Sequence, residues 1–374
     1  MGLSGQWVSR YAGSNSGTIV IDIDDMGDRY RGVACVWDDN SQFPSSLVRF
    51  ITESKSNKHK LNNVRVVPMD TFGNIILPEA IEQATRTSGF RFPDVAEIEI
   101  DLKGASLSVT WNTSVQTNGA TSASAPKTRG DAPSDLKRLP ISSWDGFKQH
   151  VDRMPPKRFV FRGQENNKWR LRTSFHRTGR ANLERFLVDD VKDLQRAFSA
   201  VTAFPFNLTD GTHYGAFLNL AQHHGYPTPM LDWTWSPYVA AFFAFRNIRL
   251  RAKGDGGRKV RIYKLNAHDW NLQLPRFDKV FPVQPHVSLL EPLAIGNVRA
   301  VPQQAISTIT NVDDIESHIQ MIEGNANKTF LEVIDLPVTA RPRVMQDLAL
   351  MGITAGSLFP GLDGACESLR ERNF

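Results

Sequence analysis

Two stretches in the second half of the chain combine residue types that could bind an anionic ligand. The first is Phe161-Arg162-Gly163-Gln164, in which an arginine ends a predicted strand directly before a glycine. The planar guanidinium of Arg162 suits a diphosphate or a carboxylate, because it offers two parallel N–H donors. Gly163 permits either a positive φ or the close approach of another backbone. The alternative for Arg162 is a structural ion pair at the end of its strand.

The second stretch, residues 222–237, is rich in polar and conformationally restricted residues. Asp232 and Thr234 alternate along a predicted short strand, so they face the same side. His223 and His224 end a predicted helix, where the helix dipole favours a protonated imidazole. Adjacent histidines point to different faces, and we therefore expect no metal site. The alternative function of this stretch is a buried polar network that joins helix, turn and strand.

Two further motifs follow towards the end of the chain. Arg299 and Gln303 lie in a predicted β segment, and Leu358-Phe-Pro-Gly-Leu-Asp-Gly364 follows later. The order of FRG, HHGxPTxxLDWTxSPxxAxxFA from His223 to Ala244, RxxxQ and LFPxLDG resembles the FRG domain family. The resemblance extends from about Pro140 to the end of the chain.

The resemblance implies a chemistry, because the FRG layout is similar to ADP-ribosyltransferases of the Arg-Ser-Glu type. Arg162, Thr234 and either Gln303 or Glu291 would then take the three catalytic positions. NAD would be the substrate. The residues expected to line its site are Arg162, Gly163, Gln164, His223, His224, Asp232 and Trp233.

Cleavage of NAD passes through an oxocarbenium-like state that a nearby carboxylate stabilises. Gln303 is neutral and would do this poorly, so Glu291 is the charged candidate. The acceptor of the ADP-ribosyl group would be a protein or a nucleic acid. The resemblance also makes a role in bacterial conflict or phage defence an expectation.

Two other functions stay open at this point. One is a non-catalytic protein-interaction module, in which the polar stretches only hold the fold. The other is nucleic-acid binding by residues 137–180, which contain twelve Lys and Arg but three acidic residues, Asp145, Asp152 and Glu165. A basic segment of this kind favours an anionic partner, although it can also be an ordinary solvated surface.

The predicted strands and helices along the chain indicate an α+β fold with two domains. Residues 1–115 are β-rich, with strand patterns from Thr18 to Asp24, from Arg29 to Trp37 and from Ala96 to Leu102. A small antiparallel barrel or sandwich fits this pattern, with one helix at residues 78–87. The opening residues Gly5-Gln-Trp7 resemble the first strand of small ligand-binding barrels.

A flexible linker is predicted for residues 116–139, since residues 116–134 contain no aromatic residue and no aliphatic larger than alanine. Residues 140–374 form the second, mixed α+β domain. Its predicted helices include one capped by Ser142 or Ser143, a long amphipathic one from Leu183 to Phe198, and an apolar one that begins at Ser236-Pro237.

The length, composition and cysteine content of the chain limit the class of protein to which it can belong. A chain of 374 residues with 41% hydrophobic and 22% charged residues is long enough for two folded domains. Its two cysteines, Cys35 and Cys366, predict a reducing compartment. A basic, apolar leader and an apolar run long enough for a bilayer are both missing from the sequence, which predicts a cytoplasmic protein without a membrane role.

Overall fold

The computed structural model describes residues 2–89, 91–129, 132–250 and 254–373. Its first part is a closed antiparallel barrel in which each strand pairs with the next and the eighth pairs with the first. The strands are β1 (Gly5–Gly13), β2 (Ser16–Asp25), β3 (Tyr30–Asp38), β4 (Ser45–Ile51), β5 (Lys58–Met69), β6 (Val95–Lys103), β7 (Ser106–Thr113) and β8 (Asn118–Ser124). Helix α1 (Pro78–Ser88) lies between β5 and β6. Of the two predicted architectures, the barrel is confirmed.

Alternating side chains explain why these strands close around an apolar interior. Ile19, Ile21 and Ile23 of β2 belong to the same buried cluster as Ile98 and Ile100 of β6. The intervening residues point outward, as a side-chain period of two requires. Closure removes both free sheet edges, so the strands have no unpaired edge to protect.

Strand β8 corrects the prediction that a flexible linker begins at residue 116. Its small residues alternate between buried and exposed, with Gly119, Thr121 and Ala123 facing inward. A Cβ on Gly119 would lie 2.2 Å from the ring of Trp111. The neighbouring tryptophan therefore fills the space that a large side chain on β8 would have taken. Low hydrophobicity here reflects a lack of room and not a lack of structure.

The second part is a six-stranded antiparallel sheet with the order β12-β13-β10-β9-β11-β14. Its strands are β9 (Phe159–Gln164), β10 (Met230–Thr234), β11 (Lys259–Asn266), β12 (Val287–Leu290), β13 (Ala305–Thr310) and β14 (Leu331–Pro337). Val260 and Ile262 of β11 face one core, while Tyr263 and Leu265 face another. Both faces of the sheet are therefore covered, and the mixed α+β prediction for this region is confirmed.

Helices supply both covering layers. They are α2 (Trp144–Val151), α3 (Ser174–Arg177), α4 (Leu183–Arg185), α5 (Val191–Val201), α6 (Gly211–His223), α7 (Pro237–Phe245), α8 (Ala267–Gln273), α9 (Ile315–Ala326), α10 (Arg341–Leu350), α11 (Ala355–Leu358) and α12 (Leu362–Asn373). The side chains of Ser143 and Ser236 cap α2 and α7 as predicted. The long helix predicted from Leu183 is instead interrupted by a π-helical turn, Phe186–Asp190. No helix within the described ranges is long and apolar enough to cross a membrane.

Buried polar contacts join the barrel to the second part. The carboxylate of Asp24 accepts hydrogen bonds from the backbone N–H groups of Ala181 (2.8 Å) and Asn182 (3.0 Å). The Gln6 side chain donates to the carbonyl of Asn311 (2.7 Å) and accepts from the N–H of Asp313 (2.9 Å). These groups are buried, so the two parts are held in register as well as in contact.

Candidate functional site

The two polar stretches meet where β9 lies beside β10. Phe161 pairs with Thr234 across the two strands. Directly after this pair, Nη1 of Arg162 donates a hydrogen bond of 2.6 Å to the carbonyl oxygen of Asp232. Residues that are 70 positions apart in sequence therefore share the floor of one cleft, with a cavity volume of about 450 Å³. This volume lies within the usual range for small-molecule sites.

Most of the predicted site residues line this cleft. Eight of the ten do so, namely Arg162, Gly163, Gln164, His223, Asp232, Trp233, Thr234 and Gln303. The structure places His224 and Glu291 outside the lining: His224 is exposed at the end of α6, and Glu291 follows the edge strand β12. Strand β13 separates β12 from β10. The structure therefore does not bring Glu291 to the cleft as its charged group.

Gly163 is required because helix α7 crosses β9 at this point. A Cβ at residue 163 would lie 1.9 Å from the carbonyl oxygen of Ala240 and 2.6 Å from the backbone nitrogen of Ala244. The φ of Gly163 is not positive. Of the two reasons predicted for this glycine, the structure thus supports close backbone approach.

We expect the Gly163→Ala substitution to lower the free energy of unfolding by roughly 1–3 kcal/mol, because overpacking forces α7 away from the sheet. Denaturant unfolding of the full chain measures this. Gly324→Ala is the control: it lies in α9, where an added Cβ contacts nothing within 4 Å. Removing a helical glycine should raise stability by roughly 0.5–1 kcal/mol. Equal unfolding midpoints for Gly163→Ala and the unsubstituted protein would contradict a close approach of α7 to β9.

Four arginines surround the cleft: Arg162, Arg177, Arg246 and Arg299. Loss of hydration in the cleft lowers the pKa of Arg162, against the opposing effect of Asp232. Its Nε is buried and has no hydrogen-bond partner among the described residues. Within the same part of the chain, the Arg177 side chain makes no hydrogen bond or ion pair, and its backbone N–H donates to the carbonyl of Thr173 (3.1 Å). These two guanidinium groups are therefore available for an anion.

The other two arginines flank the ring of Phe359. The guanidinium carbon of Arg246 lies 4.2 Å from the ring centroid, and that of Arg299 lies 5.2 Å from it. Arg246 also forms a two-point ion pair with Glu367. Because its charge is already neutralised, Arg246 shapes the wall more than it attracts a ligand.

The motif near the end of the chain supports the turn that carries Gln303. Nε2 of Gln303 donates to the carbonyl of Leu358 (3.0 Å). The hydroxyl of Thr234 donates to the carbonyl of Gln303 (2.7 Å) and accepts from the N–H of Ser236 (3.0 Å). Arg299 and Gln303 therefore lie in turns before β13, and the prediction of a β segment for them was wrong.

Two carboxylates line the cleft. Oδ1 of Asp232 accepts a hydrogen bond of 2.5 Å from Nε2 of Gln222, whose own Oε1 accepts from the hydroxyl of Thr228. This chain fixes the orientation of the Asp232 carboxylate. Oε1 of Glu165 accepts from Asn247 (2.7 Å) at the other side. Asp232 is exposed to the cleft, so its carboxylate can stabilise a positive charge that develops on a bound ligand.

His223 behaves differently from the sequence prediction. Burial, helped by the charges of Arg299 and His224, lowers the pKa of His223. A neutral imidazole at pH 7 follows, although the end of α6 was expected to favour protonation. In the described ranges, no group of three or more His, Cys, Asp or Glu side chains is arranged to hold a metal ion.

The family model of the FRG domain matches residues 157–253. The chain contains an FRG domain. Searches of curated proteins and of solved structures each found no significant match. The matched range holds β9 and β10, which form the floor of the cleft.

The cleft of the FRG domain is completed by residues beyond the matched range. Asn297, Arg299, Gln303, Ala305 and Phe359 all line it, and all follow residue 253. The region that folds around the FRG motif is therefore longer than the matched range. This agrees with the resemblance of the later RxxxQ and LFPxLDG motifs.

Sequence reasoning missed several residues of the FRG cleft. Arg177 was counted only as one of the twelve cations of the basic segment. Asn219 was not singled out, although its side chain accepts from Asn297 (2.7 Å) inside the cleft wall. The signal for Arg177 was its position close after the FRG motif, but nothing local separates it from its basic neighbours.

Most cations of the basic segment are paired with acidic side chains. Seven of its twelve Lys and Arg side chains form ion pairs with acids: Lys137, Arg138, Lys148, Arg158, Arg170, Arg172 and Arg180. Arg170 is nearly fully buried between Asp314 and Glu316. The local excess of positive charge is thus largely neutralised by acids distant in sequence.

Proposed function

We propose that the FRG cleft binds a nucleotide with a diphosphate, NAD in the first instance, and that the domain transfers ADP-ribose from it. The observation that carries the proposal is the pair Arg162 and Arg177. Both guanidinium groups face the cleft, and neither hydrogen-bonds a carboxylate among the described residues. A diphosphate supplies two adjacent anionic groups, which match two such forks.

Planar side chains in the cleft suit the base and nicotinamide rings. Trp169 lines it with 52% of its surface exposed, and Phe243 and Phe359 line it beside each other, with Arg246 over the Phe359 ring. An exposed indole is an efficient surface for stacking a heterocycle. The rings of NAD would lie against these walls, with the diphosphate between them.

Asp232 is the carboxylate that we assign to the reacting centre. The glycosidic C–N bond of NAD breaks, and nicotinamide leaves with the electron pair. The acceptor nucleophile forms the new bond to the same carbon and loses its proton to solvent. Asp232 would stabilise the oxocarbenium-like state between these events. Thr234 and Gln303 position this wall through their mutual hydrogen bond.

Calorimetry of the full chain with NAD, ADP-ribose, AMP and nicotinamide tests binding. We expect NAD and ADP-ribose to bind, AMP to bind more weakly because it lacks the second phosphate, and nicotinamide alone to bind least. If all four ligands fail to bind, or if AMP binds as tightly as NAD, the assignment of Arg162 and Arg177 to a diphosphate is wrong.

Transfer is tested with NAD labelled in the adenine moiety and a cell lysate. We expect label on a macromolecule, and a loss of roughly 100- to 1000-fold in rate for Asp232→Asn, the usual effect of removing an electrostatic stabiliser. The substitution keeps the acceptor for Gln222, so NAD should still bind. Glu165→Gln is the matched control within the cleft. Loss of transfer in Glu165→Gln alone would move the role to that residue.

A further inference from the structure

The barrel contains a cavity that is distinct from the FRG cleft. Its volume is about 170 Å³. An apolar cavity of about 150 Å³ is large enough to hold benzene. We propose that this cavity is a binding site for a compact, uncharged, apolar molecule with one polar end.

The wall of the cavity is built from inward-facing aliphatic and aromatic side chains of most strands of the barrel. They include Ile19, Ile21, Val48, Ile98, Ile100 and Val109. Two interior positions, Ala34 and Ala96, carry only a methyl group. An eight-stranded barrel has room either for its own side chains or for one small ligand. The two alanines leave the space that larger side chains would otherwise fill.

One end of the barrel is closed. The indole N–H of Trp7 donates to the carbonyl of Leu3 (2.8 Å), and both residues are fully buried. The guanidinium of Arg129 lies over the Trp7 ring, 4.2 Å from its centroid. A ligand must therefore enter from the opposite end.

The opposite end carries the polar groups. Asn15, Asp38, Arg91 and Asn118 line the cavity there, in or beside the loops that join the strands. The hydroxyl of Tyr11 donates to Oδ2 of Asp38 (3.1 Å). Asp38 and Arg91 are the two charged side chains of the lining and have opposite signs. A neutral hydroxyl or amide suits this rim better than a full charge, because it can both donate and accept.

The size and polarity of the cavity give a quantitative test with unbranched primary alcohols. We expect Kd, measured by calorimetry on the full chain, to fall about fourfold for each added methylene, the effect of burying one CH₂. The gain should stop once the chain fills the cavity. No binding by any alcohol, or a gain that continues without a limit, would overturn the proposal.

Variants locate the site. Ala34→Leu and Ala96→Leu fill the cavity and should weaken the best alcohol at least tenfold. Val8→Leu is the control, because Val8 lies on the outer face of the barrel with 43% of its surface exposed. Arg162→Ala, in the FRG cleft, should bind the alcohol unchanged. Unchanged binding in a folded Ala34→Leu or Ala96→Leu variant would overturn the proposal. If both variants fail to fold, the proposal is tested by the unsubstituted protein alone. The gain in affinity with increasing alcohol length must then stop once the alcohol fills the cavity.

Discussion

Arg162→Ala is expected to weaken NAD binding roughly 10- to 150-fold, which corresponds to about 1.5–3 kcal/mol for a lost hydrogen bond to a charged group. The reason is the position of its guanidinium at the floor of the cleft, where Nη1 is held by the Asp232 carbonyl and Nε has no partner among the described residues. The Nη1 end of the Arg162 guanidinium group is therefore held in a fixed position. Calorimetry with NAD measures the loss.

Two further variants separate binding from folding. Arg177→Ala removes a side chain without a hydrogen bond among the described residues, so binding should fall while the thermal midpoint stays unchanged. Arg65→Ala is the matched control, since it removes one exposed positive charge from the barrel. If Arg65→Ala weakens NAD as much as Arg177→Ala, long-range charge explains binding and the cleft does not.

Asp335→Ala is expected to lower the free energy of unfolding by about 3–5 kcal/mol, the usual effect of removing one partner from a buried ion pair. Arg261, fully buried on β11, donates from Nε (2.7 Å) and Nη2 (2.9 Å) to the Asp335 carboxylate on β14. Asn167 donates a further bond of 3.0 Å. Without the carboxylate, the guanidinium would be a buried, unpaired charge. Denaturant unfolding measures the change.

The same pair has a predictable dependence on pH. Burial alone would raise the pKa of Asp335, but the hydrogen bonds from Arg261 and Asn167 and the nearby charge of Arg138 outweigh it and lower the pKa. Its contribution to stability is therefore complete above the unfolded-state pKa of the carboxyl group, and it is lost as the pH falls from there through the lowered folded-state value. Asp28→Ala, at an exposed pair with Arg29, is the control and should leave the unfolding midpoint unchanged. Similar losses of stability in Asp335→Ala and Asp28→Ala would mean that burial does not determine how much an ion pair stabilises the fold.

The Arg261–Asp335 pair also bears on the cleft. Arg261 lies opposite Gln164 in the register between β11 and β9. Gln164 lines the cleft next to Gly163. A weakened pair would loosen the strand that carries the FRG motif, so Asp335→Ala should affect binding only through folding.

Local patterns were sufficient for the elements that depend on neighbours in sequence. Alternation along β2, β3 and β6 predicted the strands, and Ser236-Pro237 predicted the start of α7, because periodicity and caps act over a few residues. The linker prediction failed at β8 for the opposite reason. Its small residues are explained by Trp111, which belongs to the adjacent strand and is invisible to local composition.

For the site, the sequence by itself singled out Arg162, Asp232, Thr234 and Gln303 as candidate residues. Only the tertiary structure decided how they are combined. It placed Glu291 beyond the cleft, brought Arg177 into it, and paired most of the basic segment with distant acids. The physical reason is that strand order and long-range ion pairs set which side chains share a cleft, and neither is encoded in the spacing of any one motif.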